Sequence, residues 1–181
     1  MKKLLLIVII LFAFASKSSA THVMGADITY TWISGNDYQV TLTLYRDCSG
    51  STIGTTPQDI DLSSSCGNFS ASLDWVSTTN VSQVCASSTT TCNGGTLPGT
   101  EQYVFTGVVT IPPCANWVLS WNLCCRNDGI SNLSSPGSQD LYIETTMNNV
   151  LAPGNNSPQF LALPTPYLCP NQLNIYSHGA A

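Results

Sequence analysis

From residue 26 onward the chain alternates polar and apolar positions with a period of two. Asp27-Ile-Thr-Tyr-Thr-Trp32 alternates, Ser34-Gly-Asn-Asp37 is a cluster of turn formers, and Tyr38 to Asp47 alternates again with β-branched and aromatic residues. This pattern predicts a β-hairpin with strands near 26–33 and 38–47. Further strands are predicted at 58–62, 69–76, 102–111, 116–124 and 140–147, with a short last one at 173–176. Pro112-Pro113 stops the fifth, because proline supplies no N–H to a ladder. Beyond the first twenty residues no window sustains the i, i+3, i+4, i+7 spacing of an amphipathic helix. Short strands separated by glycine, proline and serine predict an all-β fold, an antiparallel β-sandwich of Ig-like or jelly-roll-like type. Its long loops at 48–58, 77–100 and 148–172 need cross-links to hold them.

The first twenty residues depart from this pattern. Lys2 and Lys3 precede an unbroken apolar run from Leu4 to Ala15, and Ser18-Ser-Ala20 offers small residues before Thr21. These are the three parts of a secretory signal peptide, with cleavage expected between Ala20 and Thr21. A run of twelve is too short for the ~20 apolar residues that a membrane helix needs. The expected domains are therefore a signal peptide at 1–20 and one secreted β domain at 21–181, with no membrane span after cleavage.

Cleavage removes all three lysines and leaves Arg46 and Arg126 against ten carboxylates. Charged residues make up only 8 % of the chain, against roughly 25 % in an ordinary soluble domain. A chain so poor in cations is excluded as an electrostatic nucleic-acid binder.

All eight cysteines (Cys48, Cys66, Cys85, Cys92, Cys114, Cys124, Cys125 and Cys169) follow the cleavage site. An even count in an exported chain reads as a disulfide framework. Zinc frameworks prefer short Cys/His pairs, and no histidine lies within the cysteine set. Cys85 and Cys92 flank a short polar loop, so a local bridge between them is expected. Val40, Leu42, Leu44, Arg46 and Cys48 share one strand face, as do Trp117, Leu119, Trp121, Leu123 and Cys125. Both faces are mostly apolar and should look inward, which favours a Cys48–Cys125 bond. Cys124, on the opposite face, is then assigned to Cys169, and Cys66–Cys114 is the pair that remains. A bond between the adjacent Cys124 and Cys125 is disfavoured by the usual Cα separation of ~5.5 Å.

Few residues suggest chemistry. Asp59 and Asp61 share a strand face and could be an acid/base pair, but the same spacing is common on a solvated strand. With Asp74 they are also the one candidate calcium set; no cofactor is otherwise expected. There is no G-x-S-x-G elbow, Gly94-Gly95 is a bare turn, and His22 and His178 lie at the two extremes of the mature chain. Arg46 in Tyr-Arg-Asp-Cys48 and Arg126 in Cys-Cys-Arg-Asn-Asp128 each sit beside cysteine and aspartate. A Cys48–Cys125 bond would gather Arg46, Asp47, Arg126 and Asp128 into a structural ion-pair cluster, or, on the sharper reading, an anion site. Trp117 and Trp121 read as core. Trp75 is the better candidate for an exposed sugar-stacking platform, although core is favoured there too, and Trp32 completes the set. Asn68, Asn80, Asn132 and Asn155 head N-x-[ST] sequons.

His22-Val-Met-Gly-Ala-Asp-Ile-Thr-Tyr30, Tyr45-Arg-Asp-Cys48, Cys124-Cys-Arg-Asn127 and Asn156-Ser-Pro158, in that order, resemble one known pattern. It is similar to the N-terminal region of large secreted surface proteins of the Bacteroidota. Those proteins continue into PKD-like or cadherin-like repeats and end in a gliding-motility-associated type IX secretion sorting domain. The resemblance spans roughly 22–178. It implies export and a cell-surface or adhesion role, with surface glycans or other surface proteins as partners, and it carries over no catalytic residue. This chain departs from the pattern in reaching Ala181 without repeats or a sorting domain, and is expected to be the N-terminal module of a longer protein. The reading is thus a non-enzymatic extracellular structural or adhesion module. A carbohydrate-binding module is the alternative, and requires two or three exposed aromatics in a row. A secreted hydrolase is third, and requires two carboxylates, or a carboxylate and His178, converging in a pocket.

Overall fold

The computed structural model describes residues 22–85, 87–127, 130–164, 171, 173, 175, 177 and 179–181. The signal peptide with its Ala20/Thr21 cleavage site, Asp128, Cys169 and His178 lie outside the described residues. Among the described residues seven strands form the fold: β1 (Val23–Ser34), β2 (Asp37–Asp47), β3 (Gln58–Ser64), β4 (Gly67–Asn80), β5 (Thr100–Thr110), β6 (Trp117–Leu123) and β7 (Leu141–Met147). The predicted all-β class holds, and the strand at 67–80 reclaims the start of the predicted 77–100 loop. Leu173 and Ile175, in the last predicted strand, are not in a strand. Among the described residues no helix is long and apolar enough to cross a membrane.

The strands hydrogen-bond in the order β1-β2-β5-β4-β3-β6-β7, with every neighbouring pair antiparallel. β4 serves both layers of the sandwich. Its first half, to Leu73, pairs with β3, and its second half, from Asp74, pairs with β5 across a register shift between Trp75 and Ser77. A bulge adds twist and bends its strand, so one bent strand makes the two layers continuous. The sheet is nearly closed, leaving β1 and β7 to face each other across a seam.

The interior is built from the alternating positions. Val40, Leu42, Leu44, Ile60, Leu73, Phe105 and Leu119 are completely buried, and Trp117 and Trp121 nearly so. Phe69 packs edge-on against Trp117 at a ring separation of 5.4 Å, and Tyr30 meets Tyr38 at 6.0 Å. Such contacts add to the apolar burial that drives folding. At one end of the barrel the buried Asn149 side chain accepts the Cys114 N–H at 2.7 Å and donates to the carbonyls of Ile111 and Pro112 at 3.1 and 3.2 Å. It thereby satisfies the backbone of the turn that Pro112-Pro113 forces.

Two disulfides brace opposite ends of the barrel. Cys66, in the β3–β4 turn, is bonded to Cys114, just beyond β5. At the other end Cys48 is bonded to Cys92. This corrects both the Cys48–Cys125 and the Cys85–Cys92 assignments. β2 stops at Asp47, so Cys48 no longer follows the inward face of its strand. Its N–H donates to the Gly99 carbonyl at 2.9 Å, which holds Cys48 against the loop carrying Cys92. Gly99 is needed there, since a side chain would meet the Cys92 sulfur at 2.4 Å. Cys85 is exposed, with no disulfide partner among the described residues. Cys124 is bonded to Cys125, which corrects its assignment to Cys169. β6 ends at Leu123, and Cys125 takes a left-handed φ of 81°. The pair therefore escapes the extended geometry that would point adjacent side chains to opposite faces.

Candidate functional site

The motif residues meet at the start of β1. The Asp47 N–H donates to the His22 carbonyl at 2.9 Å, and Val23 forms a parallel bridge with Arg126. The Asn127 amide donates to Asp47 at 3.2 Å. The N–H groups of Cys125 and Arg126 both donate to the Gln139 carbonyl. Tyr-Arg-Asp-Cys and Cys-Cys-Arg-Asn are thus neighbours, as the ion-pair reading required, but without a disulfide between them and with different partners.

Arg46 is buried on the inward face and pairs with Glu101 of β5, its close neighbour in the β2–β5 register. The remaining guanidinium N–H groups donate to the carbonyls of Ser51 at 2.7 Å and Gly50 at 2.6 Å. Gly50 has no side chain because the His22 ring occupies that space. A buried cation surrounded in this way is a structural strut. Glu101, which the sequence reading did not single out, also accepts the Tyr103 hydroxyl at 3.1 Å. Burial, followed by Glu101, raises the Tyr103 pKa. Asp47 accepts the Ser49 N–H and hydroxyl at 2.8 and 2.7 Å. Burial pushes its pKa up, but Ser49, Asn127 and His22 outweigh that and hold it below the usual carboxylate value. Arg126 donates instead to the Asp140 backbone carbonyl at 2.9 Å. Of the expected cluster, Asp128 lies outside the described residues; Arg46 pairs with Glu101 and Asp47 with Asn127, while Arg126 binds a backbone carbonyl.

The other candidates do not converge. Asp59, Asp61 and Asp74 are exposed; Asp61 accepts the Ser70 hydroxyl at 2.7 Å. Among the described residues the one group of three metal-type side chains within reach of one another is Cys48, Cys92 and Glu101. Its two sulfurs are joined to each other and offer no thiolate. Trp32 and Trp75 are 42 % and 40 % exposed, but they stand on β1 and β4 with β2 and β5 between them, so they form no row. All four sequon asparagines are exposed.

One concavity among the described residues is the seam between β1 and β7. Six antiparallel steps separate these strands in the sheet order, so they run in the same direction. The Tyr30 hydroxyl crosses the gap to the Thr146 carbonyl at 3.1 Å. Alongside it the 156–158 segment enters the seam. The Ser157 N–H donates to the Tyr30 carbonyl at 3.0 Å. The Ser157 hydroxyl accepts the Tyr30 N–H at 2.8 Å, and Asn156 Oδ1 accepts the Trp32 N–H at 2.7 Å. Asn156 beside Trp32 and Ser157 beside Tyr30 run this segment antiparallel to β1, held largely through side-chain oxygens. It stops after Pro158, which has no N–H to offer.

Below that point the seam opens into a cleft of about 450 Å³ lined by Ala26, Asp27, Ile28, Ile143, Glu144 and Phe160, among others. Two carboxylates edge it. Burial raises the Asp27 pKa to about 6 in spite of a hydrogen bond with the Thr43 side chain. Glu144 is exposed and accepts the Tyr142 hydroxyl at 2.7 Å. The sequence offered one signal for the seam, the Asn156-Ser-Pro158 motif, and none for Asp27 and Glu144 lining one cleft. No protein-family model, curated protein or solved structure matches the chain.

Proposed function

We propose that this chain is a non-catalytic, exported module that acts at the outer cell surface as a structural or adhesion domain. The observation that carries this reading is the cross-linking of both barrel ends, by Cys48–Cys92 and Cys66–Cys114. Disulfides of this kind persist in oxidising surroundings, and they tie down the long polar loops of a domain with little charge. The leader-like first twenty residues and the resemblance to Bacteroidota surface proteins support the same compartment. The segments carrying that resemblance are used in hydrogen bonds and bridges that frame β1, which suits a scaffold better than a catalyst.

Cell fractionation combined with protease treatment of intact cells tests the proposal. The expected result is a chain starting at Thr21, sensitive to external protease and yielding the two cross-linked peptides on non-reducing mapping. A cytoplasmic protein with its leader intact and its thiols reduced would overturn it.

A further inference from the structure

We propose that the Cys124–Cys125 disulfide is a redox-active site: an external dithiol reduces it selectively, and the reduction releases the start of β1 while the barrel stays folded. This goes beyond the surface-module reading, because it rests on the chemistry of one bond and holds wherever the protein meets a dithiol.

Three disulfides form among the described residues, and they are not equivalent. Cys48–Cys92 and Cys66–Cys114 join positions 44 and 48 residues apart. Each removes much conformational freedom from the unfolded chain, so the stability of the fold opposes reduction of either. Cys124 and Cys125 are neighbours in the chain. A bond between them closes no loop, takes little freedom from the unfolded chain and adds little to global stability. Access differs in the same sense. Cys124 is exposed just past the end of β6. Cys48 and Cys92 are both half-buried, and Cys66, although exposed, is bonded to a Cys114 that is 2 % exposed. An exposed disulfide that carries little of the fold's stability is the one that thiolates open most readily.

The backbone couples this bond to the barrel. Two bonded adjacent cysteines form a small ring that includes the peptide bond between them, and Cys125 sits in it with a φ of 81°. That left-handed region is one that residues with a Cβ rarely occupy. From this conformation Cys125 and Arg126 both donate their N–H groups to the Gln139 carbonyl, at 3.1 and 3.0 Å. Arg126 also forms the bridge to Val23, and the Asn127 amide donates to Asp47 at 3.2 Å. One short turn therefore fastens the first residue of β1, the end of β2 and the approach to β7. Opening the ring removes the covalent restraint on Cys125, whose φ relaxes to negative values. The two N–H groups then leave Gln139, and the Val23 bridge goes with them.

The step balances as a thiol–disulfide exchange. One thiolate of the dithiol attacks the exposed Cys124 sulfur, the bond between the two cysteines breaks, and Cys125 leaves as a thiolate that takes up a proton. The second thiolate of the dithiol attacks its own sulfur in the mixed disulfide and expels the Cys124 thiolate, which is protonated in turn. Two electrons and two protons pass to the protein, and the dithiol departs as its disulfide. An external disulfide reverses the exchange.

The test uses the mature, oxidised protein with dithiothreitol as the dithiol, alkylation of the thiols formed, and peptide mapping. Cys124 and Cys125 should be half reduced at a dithiol concentration roughly tenfold or more below that needed for either other bond. At that concentration amide hydrogen exchange at Arg126 should quicken roughly tenfold or more, Val40 should stay as protected as before, and oxidised dithiothreitol should restore Arg126. Replacing Cys124 and Cys125 together by serine should give fast Arg126 exchange with or without dithiol; the readout on the unaltered protein does not depend on how that variant folds. Reduction of all three bonds together, or selective reduction that leaves Arg126 exchange unchanged, would overturn the proposal. So would a map of the oxidised protein that joins Cys124 to any cysteine other than Cys125.

Discussion

The two places where this domain brings carboxylates against β1 and β2 are built in opposite ways. At the Arg46 node the charge is buried and its donors are spent, on Glu101, Ser51 and Gly50. At the seam, Asp27 and Glu144 line an open cleft whose described lining holds no cation. A buried charge costs several kcal/mol unless it is paired, so the node has to be complete in the folded state. The seam carboxylates are held only by neutral groups, Asp27 by the Thr43 side chain and Glu144 by the Tyr142 hydroxyl, and burial raises the Asp27 pKa. The contrast separates a charge paired inside the fold from carboxylates that line a cleft.

The largest expected effect breaks the node. Arg46→Ala strands Glu101 and two loop carbonyls, and should destabilise the domain by about 3–5 kcal/mol in urea unfolding. If the loss stayed under about 1 kcal/mol, the guanidinium would be solvated rather than structural. Next, replacing Cys66 and Cys114 together by serine should cost about 2–4 kcal/mol, read from the same transition. Cys48 with Cys92 should behave similarly, whereas replacing Cys85 should cost little.

Asp27→Asn sharpens the comparison through pH. The folded-state pKa of about 6 lies above the ordinary aspartate value of 3.8. The folded protein therefore binds this proton more tightly than the unfolded chain, and the stabilisation is fully present below about pH 4. It is lost as the pH rises through about 6. Asp27→Asn should accordingly raise stability by up to ~3 kcal/mol at pH 8 and leave it nearly unchanged at pH 4. A gain independent of pH would refute burial as the cause. The smallest effect is expected at the seam segment. Ser157→Ala removes the acceptor of the Tyr30 N–H and should cost about 1 kcal/mol, with faster amide exchange at Tyr30 than at Val40.

Much of the strand framework was legible from alternation. The hairpin of β1 and β2, the stop at Pro112-Pro113, and the inward faces of Val40 to Arg46 and Trp117 to Trp121 all follow from local period and turn chemistry. Cys66 and Cys114 are joined, the pair that elimination left over. Parity misled at Cys48 and Cys125, because each lies just past the end of its strand, where alternation no longer assigns a side. Glu101 and Ser157 were missed as partners for a different reason. They reach Arg46 and Tyr30 across 55 and 127 residues of chain, and nothing in their own neighbourhoods records that distance.

By itself, the sequence determined which segments become strands and which side chains turn inward, because both depend on the pleat and on residues a few positions apart. The tertiary structure alone decided that β5 lies beside β2, that Cys48 meets Cys92, and that β1 and β7 face each other without pairing. Those outcomes depend on strand order and on where each strand ends, and the packing of the whole barrel sets both.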